Sequence, residues 1–158
     1  MSHIEPRGLR EIVNEFLDLL RVGRGDQEQN ETDLGRLLDE LALARHAVSP
    51  VWDDIDHPDP PSWPYRERMA LARERFPGYG NYNVALDVTV NIGEGDRGVG
   101  DAIDDIADIA GDLHKVAWAW GNTSEADALW WFEFLFDSHF GQHLRELQLY
   151  LHHLEGEQ

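Results

Sequence analysis

The sequence predicts an all-α domain of about five helices in an antiparallel bundle, with an irregular Pro/Gly-rich central region. Three observations carry this. Apolar residues recur at three- and four-residue spacing in five separate stretches. Polar or glycine-bearing links divide those stretches. Prolines and glycines concentrate in the middle, in a connection over 49–64 and an irregular segment over 78–100. At 158 residues one domain is expected, over 8–155, large enough to bury about 70% of its unfolded surface.

The first helix is expected over Leu9 to Val22, where Leu9, Ile12, Val13, Phe16, Leu19 and Leu20 share a face. Gly23-Arg24-Gly25 ends it, and Asp26 to Glu31 reads as a polar loop. The second helix, from near Thr32 to about Val48, turns Leu34, Leu37, Leu38, Leu41 and Ala44 inward and cannot pass Pro50. A short polar link between two amphipathic helices implies an antiparallel pair. The five prolines of Ser49 to Pro64 rule out helix and interior strand. Trp52, Ile55 and Trp63 are expected to anchor this connection as a cover over the core, although its length also makes it a candidate functional loop. The third helix, Pro64 to Phe76, opens with a proline in its first turn and stops at Pro77-Gly78.

In the segment 78–100, Val84, Leu86, Val88, Val90 and Ile92 alternate with small or polar residues. A short strand and an extended segment lying on the bundle fit equally well, and no partner strand is evident. Gly93-Glu94-Gly95-Asp96-Arg97-Gly98 matches the GxGxxG spacing of dinucleotide sites. Such a site needs a parallel strand after the following helix and unobstructed amides at that helix's start. Here another long helical stretch follows, and Glu94, Asp96, Asp101, Asp104 and Asp105 would repel a phosphate. The stretch reads as a flexible loop, without a bound nucleotide.

The fourth helix is expected from about Val99 to Trp120. Ile103, Ile106, Ile109, Ala110, Leu113, Val116, Ala117 and Trp120 form its core face, and Asp101, Asp104, Asp105, Asp108 and Asp112 lie on the other side. The first three suit the positive end of the helix, and Asp112 can pair with Lys115. Gly121 closes it, and Asn122-Thr123-Ser124-Glu125 supplies capping pairs for a fifth helix, Ser124 to Leu154. There Leu129, Phe132, Phe136, Phe140, Leu147, Leu151 and Leu154 form one stripe. Trp131 lies on a second strip and Trp130 with Phe134 on a third, so the N-terminal half reads as buried nearly all round. Gly141, a poor helix former, marks a kink or a close helix approach.

His139 and His143 are four residues apart on one face of this helix, the spacing of helical metal sites. With Asp108 or Asp112 from the fourth helix they form a candidate set for a divalent metal. Gly-Gln stands between the histidines rather than a catalytic glutamate, and no Glu-x-x-His pairing is present on these two helices. The plainer readings, favoured by residue pattern alone, are a core histidine satisfied by a buried carboxylate or carbonyl and a solvated acidic face.

Composition excludes several classes. There is no cysteine, so neither disulfides nor thiolate metal sites can form. A formal charge of −18 disfavours nucleic acid and favours either solubility or a basic protein partner. No run approaches membrane-spanning length and Met1 to Gly8 lacks an apolar signal core, so a cytoplasmic location is expected, with no membrane contact. Of 13 basic residues only Lys115 is lysine.

Asp104-Asp105-Ile106-Ala107-Asp108-Ile109-Ala110-Gly111-Asp112-Leu113, then Trp131-Phe132-Glu133-Phe134, then His139-Phe140-Gly141-Gln142-His143-Leu144 resemble, in order and spacing, the C-terminal half of the bacterial family called domain of unknown function 5063. The resemblance spans about Leu9 to His153 and is specific from Ala102 onward. It implies an all-helical fold and supplies no activity. It singles out His139, Gln142, His143, Asp108 and Asp112 for joint testing, and Trp131 opens the second of these three stretches.

Two function classes follow. One is a non-enzymatic interaction protein, in a specific form an immunity-type protein that neutralises a basic toxin by charge complementarity. It rests on acidity, small size and surplus tryptophans such as Trp52, Trp63, Trp118 and Trp130. The other is a metal-binding bundle, hydrolytic through metal-bound water. It requires the fourth helix to bring a carboxylate within ligand distance of the histidines. A metal-free general-base role for His143 is a lesser third, since no substrate is indicated.

Overall fold

A computed structural model describes residues 7–49 and 51–157. Its helical frame is built from the stripes expected of it. On α1 (Leu9–Arg21) the predicted face is buried, with Leu17 beside it. On α2 (Gln27–Ala47) Leu34, Leu37, Leu38, Leu41 and Ala44 are buried, and the two helices pack together. The second helix begins five residues before Thr32. Asp26 caps it by accepting the Gln29 N–H at 2.8 Å. Asn30 is buried because its side chain accepts the Arg24 N–H and donates to the Arg75 carbonyl. Polarity there serves the cap rather than a loop. Pro50 lies outside the described residues.

Among its described residues, the connection that follows has no regular structure up to α3 (Tyr65–Arg75). Trp63 packs on the core as expected, but Trp52 and Ile55 do not: they are 75% and 66% exposed. The segment is fastened by polar contacts instead, described below.

The all-α expectation is corrected by a small antiparallel sheet. Strand β1 (Asn81–Ala85) pairs with β2 (Arg97–Asp101), Tyr82 opposite Gly100 and Asn83 opposite Val99. The strand is five residues long and overlaps only the start of the predicted alternation, and Val88, Val90 and Ile92 are exposed beyond it. The partner escaped detection because it is the glycine-rich stretch itself. A side chain at Gly100 would collide with the Tyr82 ring, and one at Gly98 would crowd Val84 and Leu86. The GxGxxG residues close and form this hairpin, with Gly93 at φ +80°, so they do not open a helix.

Helix α4 (Ala102–Asn122) therefore starts after β2 rather than at Val99, and is capped by Asp101. It is the central rod: α1, α3, β2, α5 (Glu125–Leu135) and α6 (Gly141–Gly156) all pack on it. Ser124 caps α5 by accepting the Asp127 N–H. Between α5 and α6 one π turn, Phe136–Phe140, widens the helix, and the Gly141 N–H bonds the Phe136 carbonyl five residues back. A Cβ on Gly141 would collide with that carbonyl and the Phe136 ring. This, rather than a neighbouring helix, is why glycine stands there. Phe132, Phe136 and Phe140 interlock on the core side. Trp130 and Phe134, expected inside, stack on one another at the surface. No helix among the described residues is long and apolar enough to cross a membrane.

Candidate metal centre

The carboxylates on α4 are not a solvated stripe. Asp105, Asp108 and Asp112 share a face at three- and four-residue spacing, and that face meets the π turn and the start of α6. Asp105 and Asp112 are buried and Asp108 is half-buried. Asp112 turns to His139 rather than to Lys115: its Oδ2 lies 2.6 Å from His139 Nδ1. Asp105 Oδ1 lies 2.7 Å from His143 Nδ1. Each histidine thus has one ring nitrogen held by a buried carboxylate, which fixes Nδ1 as the protonated nitrogen and leaves Nε2 outward.

Both free nitrogens converge on one oxygen. His143 Nε2 is 3.2 Å and His139 Nε2 3.9 Å from Asp108 Oδ2, and ligand atoms of the three residues lie within 4.8 Å of one another. The rings are 4.9 Å apart. A lone pair on Nε2 and a carboxylate oxygen repel at such range unless a cation stands between them. A proton on His143 answers this in part: its bond to Asp105 raises its pKa against the opposing effect of burial. Burial pushes Asp108 and Asp112 up as well. The expected core histidine with a carboxylate partner and the expected metal ligand are therefore the same residue, distinguished by what occupies its second nitrogen.

Around this centre stand residues that sequence reading missed. The Tyr82 hydroxyl, delivered by the β hairpin, donates to the other oxygen of Asp105, and Tyr65 donates to Asp104. These bonds, with burial, raise both phenols, Tyr65 to about 12. Arg68 donates Nε to the Trp63 carbonyl at 2.9 Å and Nη1 to the Ala107 carbonyl, with Asp108 Oδ1 at 3.7 Å. Asp105 could have been found from its i, i+3, i+7 register with Asp108 and Asp112. Tyr82, Tyr65 and Arg68 are separated from α4 in sequence and carry no such signal.

The remaining candidates lie elsewhere. Gln142 is exposed and bonds Glu146 on its own helix. Trp131 packs between the core and a surface cleft of about 390 Å³ that also includes Trp52, Trp130 and His57. Beside that cleft, Asp53 Oδ2 accepts from Ser124 Oγ at 2.5 Å and meets His57 Nε2 at 2.8 Å, while Ser124 Oγ is 3.5 Å from the same nitrogen. This is not a catalytic triad, because acid and hydroxyl share one ring nitrogen instead of bracketing the ring. It ties the Pro-rich connection to the start of α5.

The fold is shared with a solved protein. The crystal structure of protein BF1032 from Bacteroides fragilis superposes with a TM-score of 0.70 at 17% identity, covering 92% of this chain and 88% of that one. No curated protein matches the chain. The model of the domain of unknown function 5063 family matches residues 10–156, and the chain belongs to that family.

Proposed function

We propose that this protein binds one divalent transition-metal ion through His139 Nε2, His143 Nε2 and Asp108 Oδ2. The observation that carries the reading is the convergence of two imidazole nitrogens on one carboxylate oxygen, each ring anchored behind by its own buried aspartate. Protons satisfy this arrangement poorly, since two adjacent imidazolium rings repel, whereas one metal ion accepts from both. Ligand atoms on a four-coordinate zinc stand roughly 3.3 Å apart, close to the His143–Asp108 separation. Two histidines and one carboxylate leave coordination positions open, as in sites that activate water or oxygen. The half-exposed His139 supports access from solvent. Elemental mass spectrometry of tag-free protein, purified without chelator, tests this: near-stoichiometric zinc, iron, manganese or nickel is expected, lost in His143→Ala. A folded wild type that carries no metal and takes up none on dialysis against these ions would refute it.

A second reading, a protein-interaction role, is supported by the aromatic cleft. Exposed Trp52, Ile55 and Trp130 lie beside Asp53, Asp54, Asp56, Asp59 and Asp127, with no Lys or Arg in the lining. Aromatic faces ringed by carboxylates suit an arginine-bearing segment of a basic protein. An octa-arginine peptide should bind more weakly to Trp52→Ala and Trp130→Ala, which leave the charge unchanged. Equal binding would reduce the effect to diffuse attraction and remove this reading.

A further inference from the structure

The chain's one lysine stands beside the metal centre. Lys115 makes no hydrogen bond or ion pair among the described residues, and it lines a cavity of about 280 Å³ together with Arg68, Ser62, His139 and the carboxylates of Asp108 and Asp112. Arg68 is only 13% exposed, and its hydrogen bonds go to two backbone carbonyls through Nε and Nη1, with Asp108 Oδ1 at the longer distance of 3.7 Å from Nη1. Its Nη2 makes no hydrogen bond among the described residues. Gly111 is what lets the guanidinium lie there, since a Cβ at that position would come within 2.6 Å of Nη1. The alternative, that Arg68 only clamps α3 to α4, accounts for the two carbonyl bonds but not for Lys115 on the same cavity. Asp108 and Asp112 on the same cavity balance these two cations, so a divalent ion bound at Asp108 would leave the cavity with an excess positive charge that an anion neutralises.

We infer that this cavity receives a phosphate group, free or as a small monoester, with one oxygen on the metal ion and others on Arg68 Nη2 and Lys115 Nζ. The inference rests on the proposed metal site. A metal ion cancels the charge of Asp108 and Asp112, which would otherwise repel the ligand. A guanidinium and an ammonium set around an open metal position form the usual donor set for a tetrahedral oxyanion. The cavity volume suits a small ester and leaves no room for a folded partner.

Cobalt(II) serves as the probe, because its visible bands report histidine ligation and its unpaired electrons broaden nearby phosphorus resonances. Tag-free protein is loaded with cobalt, freed of excess metal and titrated with inorganic phosphate and phenyl phosphate. Fast relaxation of the phosphorus signal is expected with wild type. Lys115→Ala should weaken binding by about tenfold or more with the cobalt spectrum and metal affinity retained, and Lys115→Arg should restore most of it. Bound cobalt with no effect on phosphorus, equal affinity for acetate, or equal phosphate binding by Lys115→Ala would overturn the phosphate assignment while leaving the metal site standing. Absence of cobalt binding would overturn both.

Discussion

Two histidines in this molecule face buried or half-buried aspartates at almost the same distance, and they are chemically opposite. His57 meets Asp53 at 2.8 Å, and Ser124 reaches the same nitrogen. His143 meets Asp105 at 2.7 Å through Nδ1 and sends Nε2 to a second carboxylate. In the first case every partner gathers on one edge of the ring, and the contact is a fastening. In the second the carboxylate behind the ring orients a nitrogen in front of it, and a neighbouring ring does the same toward one shared oxygen. A histidine–carboxylate pair becomes a candidate site when its second nitrogen is aimed at something that cannot be satisfied by hydrogen bonding alone. The backbone reinforces the contrast. The fastening sits on an extended connection, whereas the His–Asp centre sits on a π turn packed against the central helix.

The comparison breaks most sharply on His143→Ala. Metal affinity should fall by more than about 100-fold, beyond the 10–100-fold that loss of an outer partner costs. The metal-free variant should lose about 2 kcal/mol, because Asp105 stays buried with its Nδ1 donor gone. Calorimetric titration and urea unfolding read the two effects. Asp105→Asn and Asp112→Asn leave the ligands in place but loosen their orientation, so each should weaken metal binding roughly 10–100-fold with secondary structure unchanged by circular dichroism.

Gly141→Ala addresses the backbone. Its Cβ meets the Phe136 carbonyl, so the π turn must relax toward an α-helical turn, rotating His143 away from Asp108. A destabilisation of about 1–3 kcal/mol should accompany loss of metal affinity. Destabilisation with metal affinity intact would show that the widened turn serves packing and not the site.

The pH dependence sharpens the same contrast. The Asp105 partner raises the pKa of His143 in the folded protein. The stability this contributes is fully present below the unfolded value of about 6.5 and is lost as pH rises through the raised folded value. Metal binding has the opposite sign, since the ion competes with the proton on Nε2. Metal-free protein should thus lose stability from this pair above neutrality, while metal-loaded protein gains relative to it. Thermal melts from pH 5 to pH 9 with and without metal read the crossing. Smallest is Ser124→Ala: loss of the α5 cap should cost about 1 kcal/mol and leave metal affinity unchanged.

The helices were legible in the sequence because their apolar stripes repeat at short range, from Leu9–Leu20 on α1 to Leu129–Leu147 across α5 and α6. The sheet was hidden because glycine at 98 and 100 is demanded by side chains on the opposite strand, a cross-strand requirement that periodicity cannot carry. Trp52 and Ile55 depart from the expected cover because an apolar residue in a connection need not be buried, and a polar Asp53–Ser124 contact fastens the segment instead. Within the centre, the i, i+4 histidines and the α4 aspartates stood out by spacing. The burial of the acidic face carries no such signal, because a run of aspartates says nothing about the helix that will cover it. The roles of Tyr82 and Arg68 depend on tertiary pairing alone.

The most direct measurement is a cobalt(II) titration of tag-free protein followed by its visible absorption. Two imidazoles and a carboxylate predict saturation at one ion per chain, with d–d bands typical of nitrogen and oxygen ligands. Those bands should disappear in His139→Ala and His143→Ala and persist in His57→Ala. A spectrum of aquo-cobalt throughout, or identical spectra in wild type and His143→Ala, would contradict the account and leave His143 as an imidazolium bridging buried Asp105 and half-buried Asp108.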